Sequence, residues 1–325
     1  MKILVTGGLG FIGSNFFNHM KEKYPNYELV ILDSETYASD KKNIKDHFRT
    51  RIISFDILER DRLFKFFENY KFDVVVHFAA ESHVDNSISN PLKFVNTNIV
   101  GTINLLDASL KNNIKLFYHI STDEVFGHLG PTGSFDEKTS YDPRSPYSAS
   151  KASSDHFVRA YYHTYNLPVI ISNCSNNYGP NQHDEKFIPT VIKKVLKGEN
   201  IPIYGNGTNV RDWLFVMDHV DAIDRILHNG KIGETYCVGG DNEISNIRLA
   251  KIICDKIDNL KDWGQNSHEL ITFVEDRKGH DFRYSIDYSK LKKTLAWEPK
   301  TNFSDGIDIT IDYYVKKFGE EKNLN

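Results

Sequence analysis

Two groups of residues in this chain have the types and spacing to move protons. Tyr147 and Lys151 stand four residues apart, and Asp123 and Glu124 stand side by side after Ser121 and Thr122. On a helix, positions i and i+4 share a face, so the phenol and the ammonium can point into one space. A free Tyr has a pKa of about 10 and is a poor base at neutral pH, and a nearby Lys ammonium favours the phenolate. Bringing that pKa to neutrality takes roughly 4 kcal/mol of differential stabilisation. One ammonium in a partly buried site supplies part of it, and a cationic cofactor ring would supply the rest. The spacing itself is common; a surface Tyr stacked on a Lys stem would share it. Thr122, Asp123 and Glu124 can donate, accept or transfer protons, and adjacent carboxyls act as acid and base when their environments separate their pKa values. The same Asp-Glu pair would equally serve in the first turn of a helix.

The elements that must position these groups can be read outward from them. The stretch from Ser145 to Tyr165 reads as a helix, with Ser145 as N-cap, Pro146 at the first position and no later Gly or Pro. Lys115 to Ser121 reads as a strand that delivers Thr122, Asp123 and Glu124 to a sheet edge. At the start of the chain, Lys2 to Thr6 is a short apolar run of the buried parallel-strand type. It runs into Gly7, Gly10 and Gly13 and then a helical pattern to about Lys23. These glycines allow a tight turn and close approach to a pyrophosphate, which the helix N-terminus would receive. A second strand, Glu28 to Leu32, ends at Asp33, twenty residues beyond Gly13, where a carboxylate can hold the ribose hydroxyls of NAD and would repel the 2′-phosphate of NADP. Further strands are expected at Arg51–Phe55, ending in Asp56 and Ile57, at Asp73–Ala80, running into Ser82 and His83, and at Pro168–Asn173. His77 is expected in the core; for His83, site and structure are equally open. Asn98 to Lys111 reads as a helix.

Beyond Asn176 the regular alternation stops. Helices are expected near Ile188–Lys197, Asp218–Leu227, Asn246–Lys256, Asp287–Leu295 and Phe303–Lys317, with short strands near Ile201–Tyr204, Thr235–Val238 and Ile271–Phe273. The segment 210–240 is expected to return to the main sheet, and the polar tail from Lys316 is expected to fray. Lys186, Arg211, Arg277 and His280 are cationic candidates for a phosphate-rich ligand.

At 325 residues, the chain is long enough for one large domain or two smaller ones. A net charge of -4 argues against a general nucleic-acid binder. The opening strand and glycines do not form a signal peptide, and no apolar run is long enough to span a bilayer. Cys174, Cys237 and Cys254 lack metal-ligand spacing and suit the reduced interior of a cytoplasmic protein. No metal site is expected.

With these residues in view, the chain resembles the nucleoside-diphosphate-glucose 4,6-dehydratases, most closely the dTDP-glucose members, within the extended short-chain dehydrogenase/reductase family. The resemblance runs from Lys2 to about Tyr314. It is most specific in the segment from His77 to Asp85, in Ser121 to Val125, in Asn173 to Pro180, in Arg211 to Leu214 and in Asp276 to His280. Sugar-nucleotide 4-epimerases share the Tyr and Lys but usually lack the Asp-Glu pair. The resemblance implies a Rossmann-type doubly wound parallel sheet over residues 1–175, with 210–240 returning to it. A smaller α+β sugar-nucleotide-binding domain would occupy mainly 176–325.

The same resemblance implies an NAD-dependent lyase that forms a 4-keto-6-deoxy sugar nucleotide, with a homodimer built on the helices near 98–111 and 145–165. Tyr147 would take the C4 hydroxyl proton, with Lys151 on the nicotinamide ribose and Thr122 on the C4 oxygen. Glu124 would take the C5 proton and Asp123 would protonate the departing C6 hydroxyl. For NAD the resemblance implies Gly7, Gly10, Phe11, Ile12, Gly13, Asp33, Ser34, Thr36, Asp56, Ile57, Ala79, Ala80, Ser82, Thr97 and Asn177, with Tyr147 and Lys151. For the sugar nucleotide it implies Ser82, His83, Thr122, Asn176, Lys186, Phe187, Pro202, Ile203, Tyr204, Arg211, Asn246, Asp276, Arg277 and His280. Two departures touch the nucleotide ends. Ser34 to Asp40 differs from the usual family segment, and Asn181 to Asp184 stands where many members have an aromatic or Pro. The stretches at 180–182 and 205–210 are similar to plant-type UDP-glucose 4,6-dehydratases, which keeps uridine open as the base. A sugar-nucleotide 4-epimerase and a non-catalytic NAD-binding protein are the rival readings of the same residues.

Overall fold

The structure is a computed structural model and describes residues 1–261 and 264–322. Its first half alternates strands and helices. These are β1 (Lys2–Thr6), α1 (Phe11–Lys23), β2 (Glu28–Asp33), β3 (Arg51–Ser54), α2 (Arg60–Tyr70) and β4 (Val74–His77), then α3 (Val84–Ser89), α4 (Pro91–Phe94), α5 (Thr102–Lys111), β5 (Leu116–Thr122), α6 (Pro146–Tyr165) and β6 (Val169–Cys174). The second half is less regular. It holds β7 (Asn176–Tyr178), α7 (Phe187–Lys197), β8 (Ile201–Tyr204), β9 (Val210–Phe215), α8 (Val216–Asn229) and β10 (Thr235–Val238), then β11 (Glu243–Ser245), α9 (Asn246–Lys261), β12 (Ile271–Val274), α10 (Ser289–Leu295) and α11 (Phe303–Lys322).

Seven parallel strands form the main sheet in the order β10-β6-β5-β4-β1-β2-β3. The order reverses between β1 and β4, which is where a doubly wound sheet opens a crevice at the carboxyl ends of its strands. Successive side chains leave a strand on opposite faces, so β1 feeds two cores. Ile3 and Val5 join Phe16, Phe17 and Ile223 on one face; Leu4 joins Phe67, Leu105 and Val158 on the other. A third core, with Ile192, Ile203, Trp213, Leu249 and Tyr314, belongs to the second half.

The structure changes several expectations. Only part of 210–240 returns to the main sheet: α8 packs beside α1 and β10 adds the edge strand next to β6. β9 instead pairs with β7 and β11 in a separate three-stranded sheet, with Trp213 and Phe215 in the third core. β4 stops at His77: Phe78 N–H still bonds the Thr6 carbonyl, but Ala79 N–H leaves the ladder for Thr6 Oγ1 at 3.4 Å. Two short helices precede α5, which is entered through a wider π-helical turn, Val95–Gly101. In that turn the Asn98 amide clamps both backbone groups of Glu81, at 2.8 and 3.0 Å, and donates to Ser150 Oγ on α6 at 2.8 Å. The loop after β4 is thereby tied to the helix of Tyr147. The tail does not fray at Lys316: α11 continues to Lys322, with Phe318 anchored in the third core, and 323–325 lie outside the described residues.

Candidate active site

The glycine loop between β1 and α1 is built to leave room. Gly7 has φ +68°, and a Cβ there would stand 2.6 Å from the Ala79 nitrogen. A Cβ on Gly13 would stand 2.3 Å from the Gly7 carbonyl oxygen, so the first turn of α1 rests directly on the loop. Gly10 is the N-cap of α1 and no side chain caps the helix, which leaves its first N–H groups for an anion. Gly13→Ala is expected to weaken NAD⁺ binding at least about tenfold in calorimetry, because the loop cannot keep its path around a methyl group; unchanged affinity would remove the loop from cofactor binding.

A cavity of about 360 Å³ runs from this loop to the ends of β5 and α6. Gly7, Gly10, Phe11, Ile12 and Gly13 form its floor, and Asp33, Ser34, Thr36, Asp56 and Ile57 one end. Ala79, Ala80, Ser82, Thr97 and Asn177 line its sides. Asp33 is already held: Leu9 N–H donates to one carboxylate oxygen at 3.0 Å, and Glu35 N–H and Ser39 Oγ donate to the other at 2.9 and 2.7 Å. A carboxylate has about four acceptor positions, so its orientation is fixed with capacity left for a ribose. The glycine cradle, the open helix N-terminus and the oriented carboxylate together fit a dinucleotide.

The other end of the cavity holds Thr122, Asp123, Glu124, Tyr147 and Lys151. A capping box starts α6: Ser148 N–H donates to Ser145 Oγ at 3.0 Å, and Ser145 N–H to Ser148 Oγ at 2.9 Å. Tyr147 and Lys151 then share one buried face. Where β5 ends, Thr122 itself caps the following turn, taking Glu124 N–H on Oγ1 at 3.3 Å. The carboxyls are therefore free of capping. Asp123 is buried, one of its oxygens has no hydrogen-bond partner, and the other meets Thr122 Oγ1 at 3.3 Å.

These environments separate the two acids. Burial holds the Asp123 carboxyl well above the usual carboxylate range, and the neighbouring Glu124 and Asp212 push the same way. Burial also raises Glu124, but Arg211, Lys186 and Arg277 all pull it back down. For Tyr147 the structure corrects the expected effect of Lys151. Burial, with Glu124, Cys174 and Asp123, pushes the phenol well above its ordinary pKa. Lys151 turns its ammonium to the Ile120 carbonyl at 2.8 Å instead. The phenol is therefore held in its protonated form in the chain alone.

The expected sugar-nucleotide residues divide into groups. Ser82, Asn176 and Lys186 line the cavity, with Lys186 Nζ donating to the Ser82 carbonyl at 2.9 Å. Beyond it, Arg277 forms a two-bond pair with Asp85, at 2.6 and 2.8 Å, and lies over the Tyr204 ring. His280 meets Asp276 at 2.7 Å, and Arg211 lies 4.3 Å from the Tyr284 ring centroid. Asn246 opens α9, its N–H bonded to the Asn209 carbonyl. His83 is the N-cap of α3, accepting Asn86 N–H at 3.2 Å, with its other nitrogen 3.8 Å from Glu185. Pro202 and Tyr204 face outward from β8, but Ile203 points into the third core at 1% exposure. Its side chain belongs to that core, and Phe187 packs partly against it too.

A model of the family described as GDP-mannose 4,6 dehydratase matches residues 4–310. The chain belongs to this family. It is similar to a dTDP-glucose 4,6-dehydratase of Xanthomonas campestris pv. campestris, with 47% identity over 96% of this chain and 92% of that one. Among solved structures it is similar to a dTDP-glucose 4,6-dehydratase of Bacillus anthracis in complex with NAD, with 41% identity, complete coverage of both chains and a TM-score of 0.90. It is also similar to the Streptomyces venezuelae dTDP-glucose 4,6-dehydratase with NAD and TYD bound, with 41% identity, 98% of each chain covered and a TM-score of 0.91.

In this member of the GDP-mannose 4,6 dehydratase family, other reactive-looking residues have structural duties. Cys174 lines the cavity, but burial pushes its thiol up to about 12 and its Sγ–H faces the Ser121 carbonyl at 3.4 Å. His77 lies in the core between Thr6 and Thr102 hydroxyls at 2.7 and 3.0 Å. Among the described residues no group of three or more His, Cys, Asp or Glu side chains could hold a metal ion. No described helix is long and apolar enough to cross a membrane. Sequence reading missed Ser39, which orients Asp33, and His119 and Asp155, which surround Lys151. Asp155 had a signal: it continues the i, i+4 series begun by Tyr147 and Lys151.

Proposed function

We propose that this chain is an NAD-dependent lyase that converts dTDP-glucose to dTDP-4-keto-6-deoxyglucose. The observation that carries the reading is the pair of adjacent carboxyls at the cavity end, Asp123, buried with one oxygen unpartnered, and Glu124, whose raised pKa Arg211, Lys186 and Arg277 oppose. A lyase that removes water across C5 and C6 needs one protonated and one ionised carboxyl side by side.

Bound NAD⁺ supplies reversible hydride acceptance, which makes C4 a ketone during the reaction and C6 a methyl group at its end. Tyr147 takes the C4 hydroxyl proton, with Thr122 bonded to the same oxygen. Lys151 holds the nicotinamide ribose, within reach of the cavity through its remaining N–H bonds. The C4 ketone acidifies the C5 proton, which Glu124 removes. Asp123 gives its proton to the C6 hydroxyl, which leaves as water, and the C5 carbon is reprotonated from the same side chains. Asn176, Lys186, Arg211 and Arg277 bind the nucleoside diphosphate, supported by the cationic character of that wall. The same reading makes the protein cytoplasmic, in keeping with three buried free thiols. It also makes it a homodimer, supported by the exposed apolar Leu92, Val95, Val100 and Phe157 near the α5 and α6 helices.

Mass spectrometry of incubations with dTDP-glucose and UDP-glucose tests the reading. Loss of one water, faster from dTDP-glucose, is the expected result. An epimerase would return product of unchanged mass, and a binding protein would return no product.

A further inference from the structure

The α6 face that carries Tyr147 and Lys151 carries a third buried group one turn further on, Asp155. One of its oxygens collects three hydrogen bonds, from Tyr141 OH at 2.7 Å, Ser121 Oγ at 2.9 Å and Asn173 Nδ2 at 3.2 Å. The other faces His119 Nε2 at 3.2 Å, and that same nitrogen lies 3.5 Å from Lys151 Nζ. Nothing in the chemistry above uses Asp155 or His119.

A buried ammonium needs a compensating charge nearby. The titratable groups facing Lys151 are His119 on β5, His77 on β4, Cys174 on β6, and Tyr147 and Asp155 on its own helix. Asp155 is the carboxylate among them. His119 is neutral, because burial and the Lys151 charge push it down to about 4. Its Nδ1 and the facing Asp155 Oδ1 both lack a hydrogen-bond partner, while Nε2 lies close to both the carboxylate and the ammonium. One edge of the imidazole thus meets both the carboxylate and the ammonium, through Nε2. A direct pair would draw Lys151 away from the cavity; the ring keeps the charge near and the ammonium on the cavity side. Asn173 shares the arrangement, donating also to the Thr122 carbonyl at 3.0 Å, so one carboxylate steadies both catalytic segments.

We propose that Asp155, with His119 as its spacer, is the positioning residue that keeps Lys151 charged and aimed at the cofactor side of the cavity. This rests on the dehydratase reading above. The test compares Asp155→Asn with wild type, reading kcat/KM against pH by product mass and NAD⁺ affinity against pH by calorimetry. Without the carboxylate, Lys151 gives up its proton at lower pH. The alkaline limb of both profiles is therefore expected to move down by about one pH unit, with values approaching wild type below it. A uniform loss at every pH, with the limb unmoved, is what a merely structural role gives and overturns the proposal. Should that variant fail to fold, His119→Gln carries the test. Lys151 then closes on Asp155, so NAD⁺ affinity is expected to fall several-fold with the limb at or above its wild-type position. Unchanged affinity overturns the spacer role. If wild type forms no dehydrated product, the dehydratase reading fails, while the calorimetric limb still decides the role of Asp155.

Discussion

Glu124→Gln is expected to stop water elimination, lowering kcat by about 10²- to 10⁴-fold, the range for loss of a positioned general base. Glutamine keeps the shape and the polar contacts of Glu124, so dTDP-glucose should bind within about threefold of wild type by calorimetry. What it cannot do is take the C5 proton. Asp123→Asn should fail at the other end of the same event, because an amide has no proton to give the C6 hydroxyl. Since the two act as a unit, the double variant should lose little more than the worse single one. Wild-type turnover by Glu124→Gln, measured by product mass, would overturn the base assignment. Additive losses in the double variant would show that the carboxyls act in independent steps.

Tyr147→Phe is expected to lower turnover by at least about 10²-fold. The substitution is a clean one. The ring keeps its edge contact with Phe94, 6.3 Å between centroids, and the change is confined to the hydroxyl at the cavity end. The melting temperature should barely move. The phenol is pushed up in the chain alone by burial first and then by Glu124, Cys174 and Asp123, so positive charge from bound cofactor should ease the loss of its proton. The acid limb of the wild-type kcat profile should therefore belong to the cofactor-loaded enzyme, and it should be absent from any residual activity of the variant. A negligible change in rate would remove Tyr147 from the mechanism.

How far the sequence could be read depended on whether a feature was local. The glycine loop, the capped α6 helix and the Tyr147–Lys151 face are set by neighbours within a few residues, and all three stand where the spacing places them. The cap-or-chemistry ambiguity of Asp123 and Glu124 was also local, but its answer was not. Thr122 takes the cap, and Arg211, Lys186 and Arg277 arrive from distant segments to separate the two acids. The direction of Lys151 depends on a carbonyl and a histidine of β5, so spacing along α6 could not give it. The burial of the Ile203 side chain was out of reach for a similar reason. Strand periodicity tells that Ile203 and its neighbours alternate, but not which side will be covered until α7 and α9 pack there. The tail misled through composition: its lysines hide Phe318, the apolar side chain that anchors the last turns.

The return of α8 and β10 to the main sheet means that the two halves of the chain are sewn together rather than joined by one seam. A chain cut after residue 175 would lack the strand that covers β6 and the helix that supplies Val220, Ile223 and Ile226 to one face of the sheet. It would present a bare strand edge and an uncovered apolar surface, the combination that drives chains to pair with one another. The cofactor half is thus not a portable module. Swapping substrate halves between relatives calls for junctions on both sides of every stretch that crosses back, that of α10 with Leu291 and Trp297 included, and a single-crossover chimera is expected to aggregate.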